Sequence, residues 1–151
     1  MKTTMKLEGF RELDKALGEL PKATGKNVLR KVGRKALEPM RADAEAKAPE
    51  LTGHLKASVK IGTKLTSRQA RQHRRMFKND KASVELFMGP NDPAAIPQEF
   101  GWENGKAQPF MRPAWDAGKN DLLDNIKREL GDEIDKAAKR LAKKQAKAAK
   151  G

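Results

Sequence analysis

The chain has 151 residues, 37% of them hydrophobic and 35% charged, with a formal net charge of +13 and no cysteine. That is room for one domain with a modest core under a heavily charged surface. It excludes disulfides, thiolate metal sites and a cysteine nucleophile, and no stretch approaches the roughly 18 apolar residues of a membrane span. The opening "MKTTMKLEGF" lacks the apolar run of a secretory signal, so an intracellular soluble protein is expected.

In "LEGFRELDKALGELP", Phe10, Leu13, Leu17 and Leu20 recur at helical spacing, and Pro21 ends the pattern. A second helix follows, with an apolar stripe through Val28, Leu29, Val32, Ala36, Leu37 and Met40 and a lysine- and arginine-rich opposite face. Pro39 inside it predicts a kink, because proline has no N–H and crowds the preceding turn. Ala48–Pro49 is the expected stop. The period then changes: Leu55, Ala57, Val59 and Ile61 alternate with polar residues, which predicts a strand with one wet face. Val84, Leu86 and Met88 repeat that signature before a turn at 89–93. The two strands are expected to pair antiparallel across the basic connection 64–81, within which a weakly anchored helix at Ser67–Phe77 is possible. An irregular segment leads to Pro113. From there Trp115, Leu122, Ile126, Leu130, Ile134, Ala138 and Leu141 predict a long helix, weakened by Gly118 and Gly131. Beyond Leu141 the alanine–lysine repeat has helix propensity without an apolar stripe and is expected to fray. The fold class is α+β: a small antiparallel sheet packed with N-terminal helices and a long C-terminal helix. Residues 1–135 form the domain, and 136–151 a basic tail.

The charge is concentrated. Residues 64–81 carry +6 and residues 136–151 carry +7, which accounts for the whole excess. In the rest, +6 in residues 1–63 offsets −6 in residues 82–135. Such a dipole suits docking between copies or onto a charged partner, and the two basic segments suit contact with a polyanion.

Sites for chemistry are hard to assemble. His54 and His73 stand far apart in sequence, with no recognisable metal spacing. No strand–turn–helix nucleophile motif and no glycine-rich phosphate loop is present. Asp92, Glu99 and Glu103 cluster after the second strand and could in principle hold magnesium, as in a metal-dependent nuclease, but solvation or subunit contact is the stronger reading. The expectation is therefore a non-enzymatic protein without metal or cofactor.

Several fragments in order carry a resemblance. They are Gly9–Phe10, Ala48–Pro49, Thr52–Gly53–His54–Leu55 with Ser58, Glu99–Phe100–Gly101, and Ala107–Gln108–Pro109–Phe110–Met111–Arg112–Pro113–Ala114. In this order and spacing the chain resembles the tail-completion or head–tail joining (neck) proteins of long-tailed bacteriophages, the gene-product-ten-like family, over residues 7–130. Two departures are "PAAIPQ" in place of an aromatic-rich run before Glu99, and the unusual basicity of residues 64–81.

The resemblance implies a structural protein of the virion neck, assembled in the host bacterial cytoplasm as a ring of six copies. Its partners would be head-closure and tail-terminator proteins, with possible contact to DNA in the channel and no membrane. Candidate subunit or partner contacts are Phe100, Gly101, Trp102, Pro109, Phe110, Arg112, Pro113 and Trp115. For Phe110 and Trp115 plain core packing is the stronger reading, and for Arg112 an interface or intramolecular carboxylate is favoured over DNA. Candidate contacts to DNA or an acidic partner are Lys64, Arg68, Arg71, Arg74, Arg75, Lys78 and Lys81. The alternative function is sequence-nonspecific nucleic-acid binding, although few aromatics are interleaved with the basic residues.

Overall fold

Two long antiparallel helices organise the molecule. The structure, a computed structural model, describes residues 10–50, 53–78 and 84–151. Helix α1 (Phe10–Gly18) leads through Pro21 into α2 (Lys22–Lys47), and α6 (Met111–Lys150) packs along α2. Lys31 Nζ to Glu133 Oε2 at 2.9 Å and Lys35 Nζ to Glu129 Oε2 at 2.8 Å fix the antiparallel register. Gly25, Val28, Val32, Ala36, Met40 and Ala44 are the buried stripe of α2, recurring every three or four residues as the sequence pattern requires. The close approach of the two helices explains Gly118: a Cβ there would lie 3.2 Å from Met40 Cε. α2 runs continuously through Pro39. The missing N–H leaves the Lys35 carbonyl without its helical donor, and both residues are exposed, so water can serve it.

The core has two parts. Toward the start of α2, Val28 and Val32 meet Leu130, Ile134 and Ala137 of α6, with Leu13, Leu17 and Leu20 closing over them. Toward its end, Met40, Ala44 and Ala48 surround Phe110, Leu55, Val59, Ala95 and Ala114. Ala137, assigned from sequence to the tail, is buried, and α6 stays helical to Lys150.

The expected first strand is mostly a helix. α3 (His54–Ser58) precedes a three-residue strand β1 (Lys60–Gly62). Leu55 and Val59 are buried and Ala57 is exposed, so the inward positions stand one helical turn apart rather than two residues apart. Local bonds close the turn: the Ala57 N–H donates to Gly53 O at 3.1 Å and the Ser58 hydroxyl to Leu55 O at 2.7 Å. The second strand is shorter than expected, β2 (Phe87–Gly89), and it does pair antiparallel with β1, Ile61 opposite Met88. Leu86 lies against Gly33 of α2 and Met88 against the core, the face that alternation assigned them. Within the basic connection lies α4 (Ser67–Met76), and the irregular segment holds a short α5 (Ala95–Phe100) that the sequence reading missed. The fold is α+β, two strands among helices. Gly9, Thr52 and Lys81 lie outside the described residues.

Candidate functional site

Residues 95–115 form one interlocked unit. α6 begins at Met111, with Phe110 as its N-cap, and an α-helix leaves its first N–H groups without partners in its own backbone. Glu99, eleven residues earlier and buried, supplies them. Its Oε2 accepts from the N–H of Phe110 at 2.8 Å and of Met111 at 3.0 Å, and its Oε1 accepts from the N–H of Arg112 at 3.0 Å. Pro113 has no N–H to satisfy, and the Ala114 N–H already reaches Phe110 O at 3.3 Å. Every donor of this terminus is therefore used or absent. The carboxylate also faces the positive end of a 40-residue helix.

Arg112 binds the same residue twice more, Nε to Glu99 Oε1 at 3.0 Å and Nη2 to Glu99 O at 2.7 Å. Burial alone would raise the Glu99 pKa. The three backbone donors and Arg112 outweigh it and hold the carboxyl below its ordinary value. Gly101 ends α5 at φ 81°, its N–H donating to Pro97 O at 2.7 Å. A Cβ there would also stand 3.1 Å from Ala107 N and Gly105 O, so the turn admits only glycine without strain.

The unit also exposes large apolar side chains. α5 buries Ala95 and Glu99 and exposes Ile96 and Phe100. The Arg112 guanidinium lies 4.8 Å from the Phe100 ring centre, a cation–π contact, and Trp115 follows one turn later on α6. Trp102 and Gly105 close a tight backbone pair, and the Trp102 ring occupies the space where a Cβ of Gly105 would be. Phe100 is 65% exposed, Ile96 63%, and Trp102 and Trp115 52% each. Large apolar side chains left this open in one short region make it a candidate contact surface.

The sequence-selected residues thus divide. Phe110 is fully buried and belongs to the core, in line with the core-packing reading and against its alternative place among the contacts. Trp115 is on the surface. Phe100, Trp102, Pro109 and Arg112 are exposed, while Gly101 and Pro113 shape the backbone beneath. Arg112 has an intramolecular carboxylate. Glu99 is the organising residue that sequence reasoning misplaced, because its partners lie eleven to thirteen positions away and no local rule connects them. Asp92 accepts the Ala94 N–H at 2.9 Å. Among the described residues, no three side chains of metal-ligating type come together.

The second candidate region is α4. Thr66 and Gln69 form a reciprocal capping box. His73 fixes the helix to the sheet, edge-on to Phe87 at 5.3 Å between ring centres and 3.7 Å from Glu85. Arg68, Arg71 and Arg75 recur on the face opposite His73, Lys78 follows just beyond the helix, and they, Lys64 and Arg74 are all exposed.

The third cationic region ends α6, where Lys136, Lys139, Arg140, Lys143, Lys144, Lys147 and Lys150 are all exposed. A groove of about 300 Å³ lies beside it, with Thr24, Asn27 and Lys31 of α2 facing Arg140 and Lys144.

In comparisons with known proteins, the family model described as "Bacteriophage HK97-gp10, putative tail-component" matches residues 11–101. No curated protein and no solved structure matches the chain.

Proposed function

Because this chain belongs to the HK97-gp10-like family of bacteriophage tail components, we propose that it is a structural, non-catalytic protein of the virion neck. In this reading it completes the tail and joins it to the DNA-filled head as one copy in a closed ring. The observation that carries the reading is the exposure of Ile96, Phe100, Trp102 and Trp115 on the 95–115 unit, with Arg112 stacked on Phe100. Its backbone is already ordered by Glu99 and Gly101, so docking requires little further loss of freedom. A ring needs two different complementary faces per copy. The aromatic surface serves as one; the opposed charges of residues 1–63 and 82–135 are partly spent inside the chain, where Lys31 and Lys35 pair with Glu133 and Glu129.

The test is removal of the gene from its phage, followed by negative-stain imaging of the lysate. Filled heads lying apart from tails are expected, with joining restored by the parent gene and not by a Phe100→Ala/Trp115→Ala variant. Normally joined virions without the gene would exclude the joining role.

A further inference from the structure

Beyond Asp135 every charged side chain of α6 is cationic. At about 3.6 residues per turn, the cations from Lys136 to Lys150 fall within roughly 140° of arc and along roughly 21 Å of axis. The other side of the helix is alanine, Leu141 and Gln145; there Ala137 is buried and Leu141 half-buried against the rest of the domain. From Ala142 to Lys150 every residue is exposed. The helix thus docks through Ala137 and Leu141, and beyond Leu141 it stands clear of the domain with its cations exposed.

This pattern works against the helix that bears it. Lys136 and Arg140, Arg140 and Lys144, and Lys143 and Lys147 are like charges four apart, an arrangement that weakens a helix. The helix dipole favours cations in the last turn only. In the body of α6, Glu129 and Glu133 are each neutralised by a lysine of α2. Among the described residues, no carboxylate lies within ion-pair distance of Arg140, Lys143, Lys144, Lys147 or Lys150. Among the described residues these cations are left to solvent.

We propose that this row binds the phosphate backbone of double-stranded DNA without regard to sequence. Duplex DNA carries about one charge per 1.7 Å along a straight axis, which fits a straight row free of interspersed acids. An acidic protein partner calls for apolar or aromatic anchors at the centre of the contact, and the cationic arc has none. No aromatic residue follows Trp115, so nothing stacks on the bases of a single strand. All but Arg140 are lysines, point charges that do not read base edges as a guanidinium fork does. DNA lying along the row borders the groove where Thr24 and Asn27 add hydrogen-bonding groups beside Arg140 and Lys144. The neck reading supplies the reason for DNA to be near, and the binding itself is measured without it.

The experiment is fluorescence anisotropy of the full chain with a labelled duplex of about 30 base pairs, from about 50 to 200 mM salt. The expected slope of log K against log salt is about −4 to −6, the same for unrelated sequences. Lys143→Gln/Lys144→Gln/Lys147→Gln/Lys150→Gln keeps good helix formers at exposed positions. It should flatten the slope by about 3 and weaken binding at least about tenfold, with unchanged circular dichroism. Arg68→Gln/Arg71→Gln/Arg75→Gln/Lys78→Gln should retain most of the affinity. The proposal is overturned by absence of binding at low salt or by parent-like binding of the α6 variant. Loss of binding confined to the α4 variant overturns it too, as does displacement of the duplex by polyglutamate at equal charge concentration, which would assign the row to an acidic protein. Virions that join normally without the gene, alongside intact DNA binding, would defeat the neck role alone.

Discussion

Arg112 grips Glu99 at both ends of the residue, its Nε on the carboxylate at 3.0 Å and its Nη2 on the main-chain carbonyl at 2.7 Å. Because the same carboxylate accepts three backbone N–H groups of the α6 terminus, α5 and α6 are joined through one buried charge. Glu99→Gln puts an NH₂ where an acceptor is needed and should cost about 2–4 kcal/mol. For a chain of this size that is a fall in Tm of roughly 4–16 °C, read by thermal unfolding. An unchanged Tm would mean that the cap is not formed.

The same group sets an acid limit. The folded pKa of Glu99 is depressed, so its contribution is complete above the unfolded carboxyl pKa of about 4.3 and is lost as pH falls through the folded value. Glu133, held low by the hydrogen bond from Lys31, acts in the same direction. The Tm difference between parent and Glu99→Gln should be full at pH 7 and shrink steadily below about pH 4. Curves that stay parallel into acid would separate Glu99 from the effect.

Phe110 and Trp115 should part company under truncation. Phe110→Ala empties a fully buried site and should cost about 3–5 kcal/mol. Trp115→Ala should change stability by no more than about 1 kcal/mol while reducing virion joining in a complementation assay. Equal losses of stability would mean that Trp115 is core and that the surface patch is smaller than described.

Two glycines give opposite signs. Gly101→Ala forces a side chain into a left-handed turn against Gly105 O and should destabilise by about 1–3 kcal/mol. At Gly131 a Cβ would meet Leu13 at an ordinary 3.7 Å, so Gly131→Ala should stabilise by about 0.5–1 kcal/mol. Denaturant midpoints of the two variants measure both.

The helical parts were the most legible in sequence. The stripe from Val28 to Met40 and the run from Leu122 to Leu141 announce α2 and α6, because long amphipathic helices repeat their signal over many turns. The basic helix α4 was visible in outline, its cap at Thr66 and Gln69 needing only four residues. The first strand failed because an alternation from Leu55 to Ile61 also contains the spacing Leu55–Val59, which a helix buries just as well. α5 was hidden by its length and by Pro97. Within the candidate site, the fragments around Phe100 and Arg112 stood out, but their connection did not. Glu99 is an ordinary acidic residue until the fold brings it beneath Phe110.

A continuous α6 also makes the molecule a measuring rod. Trp115 near one end and Lys143 to Lys150 at the other share a single helix, some 40 to 50 Å apart at about 1.5 Å per residue. Once the aromatic surface is seated, the reach and the angular phase of the lysines are set by residue count alone. One alanine inserted after Leu141, beyond the buried stretch, would advance the row by about 1.5 Å and turn it by about 100°. Seven would lengthen the rod by about 10 Å and return the lysines almost to their original heading. Spacing and phase can thus be varied separately in this chain while the packed domain is left as it is.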